Sequence, residues 1–232
     1  MNTNILFAGP ALALTLAAAA ADAAVIHLSF AGLNGTNGIN EAVLNYYNGG
    51  TGSQGSGPGP NSGIVFSPNA LACTPAPQPG ACNTAGLPTG GNVLFFSIGG
   101  AATMDVAAGF TSGFSFYYSA PSNPGFINVW SGLDATGVLL TTLALPTTPD
   151  GSVIPGCFGT NFCPYVPIGV TFAGTAMSVD FGGSAGEIGF ADITLGTNNP
   201  TVPEPATWAM MLVGFGGLGA VLRRRRTQAS FA

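Results

Sequence analysis

Every basic residue of this chain sits in one run near its C-terminus. Arg223, Arg224, Arg225 and Arg226 are all of the Lys+Arg among 232 residues. Between Val25 and Pro200 stand the acids Glu41, Asp105, Asp134, Asp150, Asp180, Glu187 and Asp192, with no lysine or arginine among them. Whatever this stretch folds into forms without an ion pair to Lys or Arg. It rests on apolar burial, backbone hydrogen bonds and disulfides. Charged residues are 6% of the chain, far below the usual quarter, yet the middle keeps the Phe, Val, Ile and Leu that disordered segments lack. The same deficit excludes whole classes of function. Nucleic-acid binding needs Lys or Arg to displace counterions from phosphates, a P-loop needs its lysine, and Schiff-base catalysis needs one too.

The two ends are of another kind. Ile5 to Ala21 is an apolar run rich in Leu and Ala, followed by Ala21-Asp22-Ala23, an A-x-A-like cleavage site. This predicts a signal helix over residues 1–23, removed by signal peptidase after Ala23, with Ala24 as the neighbouring option. Met1 to Asn4 lacks Lys and Arg, so a membrane anchor or a start codon set too early is the competing reading. At the other end, Val202-Pro203-Glu204-Pro205-Ala206-Thr207-Trp208 leads into an apolar stretch, Ala209 to Leu222, and then the four arginines. The stretch from Ala206 to Leu222 would span about 26 Å as a helix, near the lower limit for crossing a bilayer. Trp208 suits the interface, and the arginines would hold the C-terminus in the cytoplasm. Gly214, Gly216, Gly217 and Gly219 give the helix one small-residue flank, suited to a close helix partner or simply to a weak, cleavable helix.

Pro203-Glu204-Pro205, a short apolar helix and a basic cluster, in that order, resemble the PEP-CTERM sorting signal of Gram-negative bacteria. That tail is also called an ice-binding protein C-terminal domain, a name that describes no activity. The resemblance covers about the last thirty residues. It implies recognition by an exosortase, an integral-membrane cysteine protease, with cleavage near Pro203–Pro205. It also implies a host that makes extracellular polysaccharide. The chain is then exported across the inner membrane, anchored there for a time, and passed to the cell surface or beyond. The boundaries are 1–23 signal peptide, 25–196 β domain, 197–202 linker, 203–226 sorting and transmembrane tail, and 227–232 cytoplasmic end.

Between the ends the residues read as strands. Phe114 to Tyr118, Phe126 to Trp130 and Met177 to Phe181 are short, aromatic and β-branched, with period-2 alternation in two of the three. Val25 to Phe30, Val93 to Ile98, Val138 to Leu145, Val166 to Phe172 and Glu187 to Leu195 are further strands. Clusters of Gly, Pro and Asn separate them. Helical periodicity is absent apart from a short turn near Glu41 to Tyr46. The expectation is an all-β, jelly-roll-like sandwich. In the last strand Ile188 and Phe190 share one face while Ile193 and Leu195 take the other phase. A bulge near Ala191 and Asp192 would reconcile them, as would burial on both faces. The glycine-, serine- and proline-rich run from Gly49 to Gly63 reads as a flexible surface loop.

Tyr46-Tyr47-Asn48-Gly49-Gly50, Gly63 to Ser67, Val129 to Gly137 and Ile188 to Ile193 are similar to the β-sandwich domains found upstream of PEP-CTERM tails. That resemblance implies a jelly-roll-like domain of a kind that sometimes binds sugars and sometimes holds a structural calcium ion. Asp192 stands where the last strand would supply an acid ligand. Ala31 stands where relatives have another. Calcium takes about six to eight oxygens, and Asp192 capping a bulge is the plainer alternative. No other cofactor is implied.

Four cysteines in an exported chain point to disulfides. Of the three connectivities, Cys73–Cys82 with Cys157–Cys163 is favoured, because each pair brackets turn-forming residues. Neither pair has C-x-x-C spacing or a nearby histidine, which argues against a metal site. His27, the single histidine, falls out of phase with the core face of its strand. Gly182-Gly183-Ser184-Ala185-Gly186 matches G-x-S-x-G, but a strand follows where a nucleophile elbow needs a helix, so a glycine-rich hairpin turn is expected. Three functions stay open. The first is a non-enzymatic surface or matrix protein associated with extracellular polysaccharide. The second is a carbohydrate-binding module contacting glycan through Tyr46, Tyr47, Tyr117, Tyr118 or Trp130, where alternation turns one of Tyr117 and Tyr118 outward. The third is a hydrolase with a carboxylate pair.

Overall fold

The computed structural model describes residues 25–34, 40–78 and 81–199. The signal segment and the sorting tail, including Pro203, Glu204, Pro205 and Arg223 to Arg226, lie outside the described residues.

Twelve strands follow in order: β1 Ile26–Leu28, β2 Glu41–Ala42, β3 Ile64–Phe66, β4 Ala70–Cys73, β5 Val93–Phe96, β6 Ala101–Phe110, β7 Phe114–Ser119, β8 Gly125–Trp130, β9 Leu139–Leu145, β10 Val166–Val170, β11 Ala176–Gly182 and β12 Gly189–Leu195. They form two sheets with antiparallel pairing throughout. The first runs β10-β7-β12-β5-β4-β2, with β1 also on β12. The second runs β3-β6-β11-β8-β9. The described residues thus form the all-β sandwich that the strand pattern predicts.

The alternation that marks the strands also fills the space between the sheets. On β7, Phe114, Phe116 and Tyr118 point inward, because successive side chains of a strand take opposite faces. They meet Phe181 of β11 and Phe190 of β12. Phe116 lies 5.9 Å from Phe181 and Phe181 lies 5.2 Å from Phe190, ring centre to ring centre, in edge-to-face contact, the arrangement that the ring quadrupole favours. A second aromatic knot joins Phe30, Tyr47 and Phe66. Phe30 has φ +57°, strained for a bulky residue. Its N–H donates to the Tyr47 hydroxyl at 2.7 Å, and the Asn92 side-chain amide donates to its carbonyl. Burial raises the Tyr47 hydroxyl above the ordinary tyrosine range.

β12 carries the bulge and is also buried along its whole length, so both readings of its change of phase hold. Its register against β7 slips between Ala191 and Thr194, and Asp192 has φ +52°. Before the bulge β12 pairs with β5, and after it with β1, so the extra residue marks the place where one neighbour gives way to another.

Two expectations change. Gly182 to Gly186 is not a hairpin turn, for it carries the chain from β11 in one sheet to β12 in the other. The Gly49–Gly63 run is not a free loop either. Glu41 is fully buried, and the loop closes on its carboxylate. The Gln54 and Ser56 N–H groups donate to Oε1 at 3.0 and 3.2 Å, and the Ser56 hydroxyl to Oε2 at 2.6 Å. Gly59 packs directly on Tyr46 and Gly52 directly on Glu41, approaches that only a residue without Cβ allows.

Glu41→Ala would empty a fully buried site and leave these part-buried donors without an acceptor, and is expected to cost about 2–4 kcal/mol in denaturant unfolding. Glu41→Gln keeps an acceptor for both N–H groups and an amide to pair with Ser56. Its cost is expected below about 1 kcal/mol, and equal losses for the two variants would show that the loop does not depend on the carboxylate.

Candidate functional site

Register places three cross-strand rows on the outer face of the second sheet. The first runs Asp105, Ser178, Trp130. The second runs Thr103, Asp180, Asn128, Thr142. The third runs Ala101, Gly182, Phe126, Ala144. Two rings therefore flank a polar row. Phe126 and Trp130 lie four residues apart on β8, roughly 13 Å at the rise of a strand. Both are partly exposed.

Each ring is placed over the neighbouring strand by a local contact. Phe126 packs over Gly182, where any Cβ would collide with it. Trp130 donates its Nε1–H to Asp180 Oδ2 at 3.0 Å, which draws the indole across β11. Asp180 Oδ1 accepts the Thr103 hydroxyl at 2.7 Å, and Asn128 Oδ1 accepts the Thr142 hydroxyl at 2.8 Å. The turn between β8 and β9 closes the Trp130 end. Asp134 N–H donates to Asp105 Oδ1 at 2.7 Å, Ala135 N–H donates to Ser178 Oγ at 3.0 Å, and Ser178 Oγ donates to the Gly132 carbonyl at 2.6 Å. Asp105, Asp134 and Asp180 thus share one face with no base beside them. Burial, and then the neighbouring acids, hold the Asp105 carboxyl above the usual range, against the lowering effect of the Asp134 N–H.

Asp192 sits in the bulge, 2% exposed. The Thr89 hydroxyl donates to its Oδ1, which lies 3.3 Å from His27 Nε2, while its Oδ2 is buried without a partner. Its side-chain neighbours here are one hydroxyl and one imidazole. Among the described residues no group of three or more His, Cys, Asp and Glu side chains could hold a metal ion.

The cysteines pair as Cys73–Cys82 and Cys157–Cys163. The two stapled loops then join each other. Asn83 and Asn161 exchange hydrogen bonds at 2.7 and 3.0 Å, Ala85 N–H reaches the Phe162 carbonyl, and Thr84 Oγ1 meets the Tyr165 hydroxyl at 2.7 Å. Burial carries the Tyr165 hydroxyl above the ordinary range. Under the joined loops lies a cavity of about 170 Å³, lined by Val93, Phe95, Phe162, Tyr165, Ile188 and the Cys73–Cys82 bond among others, without a carboxylate.

Of the five rings expected to meet glycan, three are spent elsewhere. Tyr46, Tyr47 and Tyr118 are 8%, 3% and 3% exposed. Tyr46 donates to the Ala31 carbonyl, Tyr47 accepts from Phe30, and Tyr118 donates to the Pro146 carbonyl. Their rings pack in the core. Tyr117 turns outward, as alternation requires, and packs against the small apolar cluster beside Cys73. Trp130 alone of the five joins the ring-flanked face. Phe126 was readable as its partner only through the same-face spacing on β8.

Asp105 offers a check on this face. A carboxyl whose folded pKa is raised lends stability that is full below its ordinary 3.8 and is lost as pH rises through the folded value. Asp105→Asn should flatten the fall in melting temperature between acidic and neutral pH and gain on the unsubstituted chain near pH 7. Identical pH slopes would show that the Asp105 carboxyl is not held above its ordinary range.

Comparison with curated proteins gave no match. Three solved structures resemble part of the chain. The C-terminal CBM6 of LamC, a marine laminarinase from Zobellia galactanivorans, has 16% identity and a TM-score of 0.32 over 48% of this chain and 85% of that one. The carbohydrate-binding module CBM6cm-2 of Cellvibrio mixtus lichenase 5A, in complex with cellotriose, has 15% and 0.30 over 48% and 82%. A family 6 carbohydrate-binding module studied for its binding sub-sites has 19% and 0.31 over 57% and 91%. The likeness that names something is at the other end: residues 201–226 match the PEP-CTERM protein-sorting motif.

Proposed function

We propose that this chain is an exported, non-enzymatic surface or matrix protein, sorted by an exosortase and working among the extracellular polysaccharide of its host. The sorting motif over residues 201–226 carries the reading. Signal peptidase would remove residues 1–23. The tail would anchor the chain in the inner membrane, and exosortase cleavage near Pro203–Pro205 would then free the sandwich. The sandwich suits life outside the cell. It has two disulfides and no surface lysine or arginine for nucleic acid or phosphate.

A second reading, a carbohydrate-binding module, is favoured by Phe126 and Trp130 standing on the outer sheet face on either side of a polar row. The hydrolase reading has less support. The acids that come together, Asp105, Asp134 and Asp180, lie on the sheet face, and none lines the cavity under the stapled loops.

Intact mass and fractionation of the native protein, with and without the host's exosortase, test the main reading. The expected product lacks both residues 1–23 and the arginine run and leaves the membrane only when the protease is present. A chain that keeps Arg223 to Arg226 and stays in the membrane would make the tail a permanent anchor and remove the support for a matrix role.

A further inference from the structure

Resting on the glycan-binding reading, we infer that the outer face of the second sheet binds an extended chain of amino sugars carrying free ammonium groups, with Phe126 and Trp130 as stacking platforms and Asp180 and Asp105 as the charged partners.

The rings come first. A pyranose has an apolar face of C–H groups and a polar rim. It matches an aromatic plane with hydrogen-bonding groups beside it. Phe126 offers one plane, held down by the bare backbone of Gly182. Trp130 offers the other, held by its bond to Asp180. Neither ring has to be ordered on binding, which spares the entropy that a free side chain would lose. Asn128 and the exposed Thr142 stand between them, where the rim of a sugar crossing from ring to ring would pass.

Charge then selects the sugar. Asp105, Asp134 and Asp180 lie on this face, and the sandwich has no lysine or arginine to answer them. A uronate or sulfated chain would bring like charge against like. A neutral chain would leave the acids unanswered. An ammonium group supplies the missing cation and pairs with a carboxylate at the edge of the stacked ring. The Asp105 Oδ1 and both Asp180 oxygens already accept hydrogen bonds, so the acids are oriented before a ligand arrives.

The test uses the full chain in detergent and three oligosaccharides of equal length: β-1,4-glucosamine, cello-oligosaccharide and oligogalacturonate. Titration calorimetry at low and high salt is the readout, with thermal melts to verify folding of each variant. Binding of the glucosamine oligomer, weakened by salt, is expected, with little heat from the galacturonate. Trp130→Ala and Phe126→Ala should each weaken it at least about tenfold, and Asp180→Asn should weaken the glucosamine oligomer more than the cello-oligosaccharide. Trp130→Phe, which keeps a ring but loses the Nε1–H, should fall between. Equal binding of the neutral chain without salt dependence would overturn the amino-sugar assignment and leave glycan binding standing. Glycan binding that survives both ring variants would overturn this face as the site while sparing the reading beneath it. No binding of any of the three by the folded chain would overturn both.

Discussion

A buried carboxylate with no cation to pair with is the condition around which this sandwich is built. The cost of removing a charge from water is large, and here neutral donors meet it. Glu41 takes two backbone N–H groups and a hydroxyl. Asp180 takes a hydroxyl and an indole N–H. Asp150, at the surface, takes the Ser152 N–H and the Asn161 amide, which together hold its carboxyl below the usual range. Asp192 takes a hydroxyl and faces His27. Hydrogen bonds to an ionised acceptor are stronger than neutral ones, so each acid becomes a fixed point on which loops close. The Gly49–Gly63 run is ordered this way, and so is the turn that lies over Ser178.

The disulfides act by a related logic. Neither bond ties one sheet to the other. Each closes a short loop, for which the gain in chain entropy is modest. Their larger effect is to present two preshaped loops to one another, so that Asn83, Thr84, Asn161 and Phe162 pair across 78 residues of sequence. The joined loops cover one outer sheet face and leave the other open, and the open face is the one with the rings.

Eight strands were legible because aromatic and β-branched residues alternate with polar ones, as in Phe114-Ser115-Phe116. The longest strand, β6, was not. Ala102, Met104 and Val106 point inward and Thr103 and Asp105 outward, so the period of two is there. Small residues and a Gly-Gly start hide it from any reading based on propensity. β2, β3 and β4 are two to four residues long, too short for a period to show. Tyr46 and Tyr47 looked like contact residues because tyrosine suits both core and surface. Only their partners, Ala31 and Phe30, decide which.

The sequence alone determined what is local or compositional: the sorting motif, the lack of internal Lys and Arg and the strand alternation; it favoured the pairing of neighbouring cysteines and offered a bulge near Ala191 and Asp192 as one of two readings. Each of these depends on residues a few positions apart. The tertiary structure decided what depends on registers between strands distant in sequence. It put Asp180 of β11 between Thr103 of β6 and Asn128 of β8, laid Phe126 over Gly182, and closed the loop around Glu41. The alternation within each strand decides which side chains face outward and excludes a one-residue slip, but it does not say which strands lie side by side or how far they are offset in steps of two.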